Sequence, residues 1–384
     1  MAPTGDLAMS KYTTGFVWHD LYAWHDTGTY AAFMRPGLTV QPHQHIEHPD
    51  SKRRFAELIS VSGMNDHLVN IRPELATRED LLRFHTPEYV DKIRTLSEGR
   101  GGEAGEHTPF GPGGYEIACL STGGCISLLE SVYRGDVRNG YSLNRPPGHH
   151  AVADQGRGFC IFGNGVVAIR RLQAMTGVKR VAVVDWDVHH GNSAQDAFYQ
   201  DPSVLTISVH QDRNYPTDSG ALSERGIGAG WGTNINIPLP AGSGDEAYMN
   251  VFDMVIVPAL TAYKPSVIIV HSGFDASVMD PLGRMLLNSE SYRKMTRKLM
   301  DAADTLCDGR LAMFHEGGYS PTHVPYCGLA VLEELSGTKT GVRDPFLDFC
   351  LAQAGHSVLP HQQAVINEAA AFVSEIPVEE GAFS

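Results

Sequence analysis

Short runs rich in apolar and β-branched residues recur through the second half of the chain. They are Val181-Ala182-Val183-Val184, Val204-Leu205-Thr206-Ile207, Val267-Ile268-Ile269-Val270 and Leu311-Ala312-Met313-Phe314. A run with so little polar alternation fits a strand covered on both faces, as in a parallel sheet. Between most of these runs the periodicity changes to that of a helix, as in Gly165 to Met175 and Glu290 to Cys307. The pattern predicts an α/β fold: an open, mostly parallel sheet flanked by helices. A Gly-rich stretch from Gly99 to Gly114 reads as a surface loop, followed by a helix from about Tyr115 to Tyr133. Cys119, Cys125 and Leu129 mark the apolar face of that helix, and Gly123-Gly124 would let another element approach closely. With no linker and no long-period repeat, residues 1–384 are expected to form a single domain. The tail after about Gly355 reads as one terminal helix with a frayed, acidic end.

Composition narrows the class. A hydrophobic content of 42% is ample for a large core and argues against disorder or a disulfide scaffold. The net charge of −14 would repel phosphate, so nucleic acid is not an expected partner, whereas cationic amines are compatible. Six cysteines (Cys119, Cys125, Cys160, Cys307, Cys327 and Cys350) form no C-x-x-C pair and read as buried, reduced thiols of a cytoplasmic protein. Met1 to Tyr12 lacks the apolar stretch of a secretory signal. No run approaches the roughly 20 apolar residues that span a bilayer, so no membrane association is expected.

Candidate chemistry gathers where the strands stop. Arg145-Pro146-Pro147-Gly148-His149-His150 follows Gly140-Tyr141-Ser142-Leu143, and Asp185-Trp186-Asp187-Val188-His189-His190 follows Val184. Ser208-Val209-His210 follows Ile207, His271-Ser272-Gly273-Phe274-Asp275 follows Val270, and His315-Glu316-Gly317-Gly318-Tyr319 follows Phe314. Ligands of open α/β sheets bind outside the carboxyl ends of the strands, so five such ends point to one crevice. Asp187-x-His189 puts two ligand-type side chains on one side of an extended segment. Such a pair is either a salt bridge at a strand end or part of a metal site. With Asp275 as third ligand it leaves a fourth position open, as a catalytic zinc site requires. The tandem His149-His150 is either a solvated turn or an acid/base pair held by the rigid Pro-Pro-Gly turn. Tyr319, beyond Gly317-Gly318, is either an ordinary half-buried tyrosine or a hydrogen-bond donor to a developing oxyanion.

Six ordered blocks resemble the histone deacetylase and acetylpolyamine amidohydrolase superfamily. They are R-P-P-G-H-H-A (Arg145 to Ala151), G-F-C-I-F-G-N (Gly158 to Asn164), V-D-W-D-V-H-H-G-N (Val184 to Asn192), H-S-G-F-D-A (His271 to Ala276), D-P-L-G (Asp280 to Gly283) and H-E-G-G-Y (His315 to Tyr319). The resemblance extends from about Thr14 to Leu351. D-P-L-G-R is similar to the bacterial class II-like branch, the histone deacetylase-like amidohydrolases. The resemblance implies the arginase/deacetylase fold and hydrolysis of the amide of an acetylated or short-acylated amine, such as acetyl-lysine or an acetylpolyamine. It implies one catalytic zinc on Asp187, His189 and Asp275, with His150 as general base and acid, His149 as its electrostatic partner and Tyr319 at the oxyanion. Asp185 would orient His149. Carbonyls of Asp185, Asp187, His189 and Val209 with the Ser208 hydroxyl are similar to the family's inner potassium site. Gly158, Phe159 and Leu282 would line the substrate tunnel, with Tyr215 on the opposite wall. Asn192 stands where many class I members carry Asp, so the partner of His150 is neutral, and a less basic His150 follows. A homo-oligomer, dimer or tetramer, is implied on the same grounds.

Two rival readings are disfavoured. A binuclear manganese hydrolase of the arginase type needs further carboxylates where Gly191 and Ser277 stand. A catalytically inactive module that only binds acyl ligands would not need His149, His150 and Tyr319. A second His-rich region, His43, His45 and His48 around Glu47, lacks a ligand spaced to close a metal site. The resemblance puts that loop, about residues 35–55, at the pocket rim, shaping substrate entry or a subunit contact. Neither G-x-S-x-G nor a phosphate loop occurs, and the glycines at 226, 228, 230 and 232 fail the dinucleotide spacing.

Overall fold

The computed structural model describes residues 13–377. Residues 1–12, expected to lack a secretory signal, and the acidic end of the tail at 378–384 lie outside the described residues. Eight strands make one sheet: β1 (Thr14–Val17), β2 (Val69–Asn70), β3 (Asn139–Ser142), β4 (Val181–Asp185), β5 (Val204–Gln211), β6 (Asn234–Leu239), β7 (Val267–Ser272) and β8 (Leu311–His315). Their order is β6-β5-β4-β7-β8-β3-β1-β2, and every neighbouring pair is parallel. All the carboxyl ends therefore lie along one edge of the sheet, where ligands of such sheets bind.

The apolar strand residues divide between two cores with the period of two that a pleated strand imposes. Ala182, Val184, Ile268, Val270, Leu311 and Met313 belong to one core, while Val181, Val183, Val267, Ile269, Ala312 and Phe314 belong to the other. Helices α1 (Asp50–Val61), α5 (Ser289–Leu306), α6 (Val324–Ser336) and α7 (Pro360–Ala371) pack on the first face. Helices α2 (Gly114–Arg134), α3 (Asn164–Thr176) and α4 (Asn192–Phe198) cover the second. Fully apolar strands follow from this arrangement, because neither face meets water. Among the described residues no helix is long and apolar enough to cross a membrane. All six cysteines are buried and unpaired.

Four strands escape the apolar-run criterion: β3, Asn139–Ser142, is marked only by the motif that follows it, and the other three each have a reason. β1 and β2 are short and close one edge of the sheet. β6, at the other edge, alternates polar and apolar residues. The amides of Asn234 and Asn236 both donate to Gln195 Oε1 at 2.8 Å, and an edge position tolerates Pro238. Strand β5 continues to Gln211, so Ser208 and Val209 lie inside it and not beyond its end. The stretch from Gly99 to Gly114 is not a plain surface loop: Ala104, Thr108 and Phe110 are buried, and its two-residue strands pair at Gly102–Glu103 with Pro109–Phe110 and at Gly105–Glu106 with Gly156–Arg157. The loop expected over residues 35–55 ends at Pro49, where α1 begins.

Gly123 and Gly124 of α2 meet the close approach expected of them. A methyl group on Gly123 would overlap the Glu74 carbonyl, and one on Gly124 would press on the Tyr22 hydroxyl and Val17. Backbone cannot yield as a side-chain tip can, so Gly123→Ala is expected to destabilise the fold by about 1–3 kcal/mol, the range for overpacking. Thermal denaturation checks this; an unchanged Tm would refute the close contact.

Candidate active site

Strand β4 ends on Asp185, and the chain then runs through Asp187 and His189 into α4. Backbone N–H groups fix the carboxylates. Asp187 N donates to Asp185 Oδ1 at 3.0 Å, His189 N to Asp187 Oδ1 at 2.9 Å, Gly317 N to Asp187 Oδ2 at 2.7 Å and Val188 N to Asp275 Oδ1 at 2.8 Å. His189 Nδ1 lies 2.9 Å from Asp187 Oδ1 and 3.1 Å from Asp275 Oδ2. Asp275 Oδ2 is buried and receives no hydrogen bond of acceptable geometry. Burial and the negative charge of Asp187 push the Asp275 carboxyl up to about 6. Burial would lower the His189 imidazole, but the two carboxylates overcome it and raise it to about 10.

Three buried groups thus converge on a point that calls for positive charge. One ligand atom from each of Asp187, His189 and Asp275 lies within 4.8 Å of the others, and they are the one such group among the described residues. One imidazole nitrogen and two carboxylate oxygens form a donor set that suits a divalent metal with an open position. Two glycines leave the room: a methyl on Gly317 would overlap Asp275 Oδ2, and one on Gly273 would overlap Asp187 Oδ2. His43, His45 and His48 form no comparable group. His43 is exposed, whereas buried His45 accepts the Glu47 N–H at 3.0 Å.

The tandem histidines occupy a buried turn with rings 3.9 Å apart, which excludes the solvated reading. Glu316 holds this turn by accepting the N–H groups of Gly148 at 2.7 Å and His149 at 3.1 Å. His149 Nδ1 lies 3.0 Å from Asp185 Oδ2, a carboxylate oxygen that His271 Nδ1 also approaches at 3.1 Å. Burial opposes protonation of His149, but Asp187 and Asp185 together raise it well above the usual histidine range. His150 is lowered instead, by burial and by the neighbouring His149 and His189. The two adjacent imidazoles are thus shifted in opposite directions. Asn192 sharpens the difference. Its Nδ2 donates to the His150 carbonyl at 2.9 Å, which turns its Oδ1 to His150 Nδ1, also 2.9 Å away. The proton of neutral His150 is therefore on Nδ1, and Nε2 is the free base.

Above this floor is a cavity of about 150 Å³. Phe159, Tyr215, Gly158 and Leu282 line it, together with His150, His189 and Tyr319. Phe159 packs edge-on against Tyr319 at 5.7 Å between centroids, and Tyr215 against His150 at 4.9 Å. Gly158 is at φ +50°, where a Cβ would press on both His150 and Tyr215. Asp280 joins two wall segments, accepting the N–H groups of Tyr319 at 2.7 Å and Leu282 at 2.9 Å. Ser208 faces Asp185 across the β4–β5 pairing, with its hydroxyl 2.9 Å from His210 Nδ1.

The same cavity is lined by Phe33, His107 and Asn214, which sequence reasoning missed. Phe33 and His107 touch through their rings at 5.4 Å and come from two irregular segments with no motif to mark them. Glu316 stood inside a recognised block, and a buried acid beside two glycines was the signal for it. A buried cluster of Arg145, Glu47 and Lys52 also went unread. The Arg145 guanidinium grips the Glu47 carboxylate at 2.8 and 2.9 Å, and Lys52 Nζ lies 3.3 Å from it.

Comparison with known proteins bears on the fold and the family. The HD domain of HDA15, a solved crystal structure, superposes with a TM-score of 0.82 at 31% identity, covering 94% of this chain and 96% of that one. That makes the fold the arginase/deacetylase one. The histone deacetylase domain matches residues 45–335. The histone deacetylase-like amidohydrolase of Pseudomonas aeruginosa is 45% identical over 370 residues, covering 95% of this chain and 97% of that protein. A probable deacetylase of Archaeoglobus fulgidus is 35% identical over 339 residues, covering 86% and 89%. The protein is thus a hydrolase of the deacetylase and amidohydrolase class. It belongs to the histone deacetylase family.

The glycine cradle gives a direct test. Gly317→Ala is expected to push Asp275 and Asp187 apart and to lower retention of a divalent ion by about tenfold or more. Metal analysis of dialysed protein reads it; wild-type retention would mean that the cradle is not needed.

Proposed function

We propose that the protein is a zinc-dependent deacylase that hydrolyses the amide of an acetylated or short-acylated amine, acetyl-lysine and acetylpolyamines being the substrate class. The observation that carries this reading is the buried Asp187, His189 and Asp275 group at the floor of a narrow cavity walled by His150, Phe159 and Tyr319. One zinc is preferred over two metals. Gly191 offers no ligand, and the Ser277 hydroxyl is engaged with His323 Nδ1 at 2.7 Å.

Asp187, His189 and Asp275 would hold the zinc, which would supply Lewis acidity toward the acyl carbonyl and a more acidic water. The chain's own residues do the rest. Nε2 of His150, the nitrogen left free by Asn192, takes a proton from the attacking water and later gives it to the leaving amine. His149, its Nδ1 held 3.0 Å from Asp185, lies beside His150 as its electrostatic partner. The Tyr319 hydroxyl donates to the carbonyl oxygen as it gains charge, and burial keeps that phenol protonated by raising it. Phe159 and Tyr215 exclude water from the alkyl arm of the substrate, with Gly158 and Leu282 completing the tunnel. A potassium ion beside Asp185, bound by carbonyls of Asp185, Asp187, His189 and Val209 and the Ser208 hydroxyl, is part of the same reading. The register pairing of Asp185 with Ser208 supports it.

The test is hydrolysis of a fluorogenic acetyl-lysine peptide and a panel of acylated polyamines. Chelation should abolish turnover and added zinc restore it. Tyr319→Phe should lower kcat by about 10²–10³, as loss of an oxyanion donor does, while hydroxamate binding persists. Absence of turnover across the panel with zinc fully loaded would overturn the proposal.

A further inference from the structure

We infer that Lys52 is a positioning residue for Tyr319: from α1 it fixes the Gly318–Tyr319 peptide and thereby sets where the phenol points. The inference rests on the role proposed for Tyr319.

Lys52 is 1% exposed, a placement lysine takes only when paired. Its ammonium has three neighbours. They are the Glu47 carboxylate at 3.3 Å, the Gly318 carbonyl at 3.5 Å, and the face of the Tyr319 ring at 5.3 Å from the centroid. Neutralising Glu47 does not account for it. Arg145 already grips both oxygens of that carboxylate and spends its remaining N–H groups on the carbonyls of Tyr22, His25 and Glu47. Arg145 already balances Glu47, which leaves to Lys52 the field of the Asp275 carboxylate and its contacts with Gly318 and Tyr319. Burying a charge is costly unless its contacts offset that. The contacts left are Gly318 and Tyr319.

Those contacts complete a two-sided grip. Asp280 accepts the Tyr319 N–H at 2.7 Å from one side, and Lys52 donates to the Gly318 C=O from the other. One peptide plane is thus held at both ends. The grip matters at this peptide because Gly317 and Gly318 precede the tyrosine, and Gly318 is at φ +124°, where glycine is least restrained. Lys52 does not itself line the cavity. It acts through Tyr319, and Glu47 with Arg145 holds it in place.

The experiment compares Lys52→Met with the wild type, each alone and combined with Tyr319→Phe. Lys52→Met should lower kcat by about tenfold to a hundredfold, the scale of a misplaced catalytic group. KM, zinc content and hydroxamate affinity should stay within about twofold, since ground-state binding is untouched. In the Tyr319→Phe background the same change should add nothing, because residues acting as a unit are non-additive. Lys52→Arg, which keeps a cation, should restore part of kcat. Amide hydrogen exchange reads the grip without turnover: residues 317–320 should exchange about tenfold faster in Lys52→Met, with β7 and β8 unchanged. Should the Met variant not fold, Lys52→Gln carries the same expectations. Equal loss of kcat in both backgrounds, or unchanged exchange over 317–320, would overturn the inference. A protein without deacylase activity would fail in the wild type as well, and hydrogen exchange would still decide on Lys52.

Discussion

Buried negative charge organises this protein. Asp185, Asp187 and Asp275 sit at the carboxyl edge of the sheet with at most 2% exposure, close enough to repel one another. Taking carboxylates out of water is costly unless partners replace the lost hydration. Here the partners are backbone N–H groups of the loops that follow the strands, the imidazoles of His149, His189 and His271, and room for a cation. The loops meet this demand: Gly317 presents its N–H to Asp187 and Val188 to Asp275. The parallel sheet supplies the convergence, since β4, β7 and β8 end on Asp185, Ser272 and His315 at the same edge.

Around that centre are residues that do not line the cavity and still fix the groups that do. Asn192 sets the tautomer of His150 through a neutral amide, where a carboxylate would set it through charge. Glu316 accepts two successive N–H groups and so fixes the turn that aims both histidines. Asp280 couples the Tyr319 loop to the Leu282 wall. Each acts by making one conformation of a loop better hydrogen-bonded than its alternatives, the usual means of preorganising a site.

How far the sequence could be read follows the same division. Strands β4, β5, β7 and β8 were legible because burial on both faces leaves an unbroken apolar run. His150, Gly158, Phe159, His189, Tyr215, Leu282 and Tyr319 line one cavity, with Asp187 and Asp275 grouped beside His189, because a parallel sheet puts its carboxyl ends on one edge. β6 was illegible because an edge strand keeps asparagines and a proline that resemble a turn. The end of β5 was misjudged because Ser208 and His210 are polar yet buried, satisfied by each other at 2.9 Å. Phe33 and His107 could not be read, since their proximity depends on two loops whose paths only the folded chain defines. The Arg145, Glu47 and Lys52 cluster joins segments far apart in sequence, and a lysine on a helix reads as exposed by default.

The glycines at the floor have a consequence for how such a molecule can change. Gly273 and Gly317 abut the carboxylates of Asp187 and Asp275, and Gly191 abuts Asp185, so no larger residue fits at any of them. Phe33 and His107, by contrast, project from irregular segments that the eight-stranded sheet does not constrain. A side chain at any of the three glycines must therefore displace a carboxylate, whereas a change at Phe33 or His107 reshapes a cavity wall and leaves the sheet untouched.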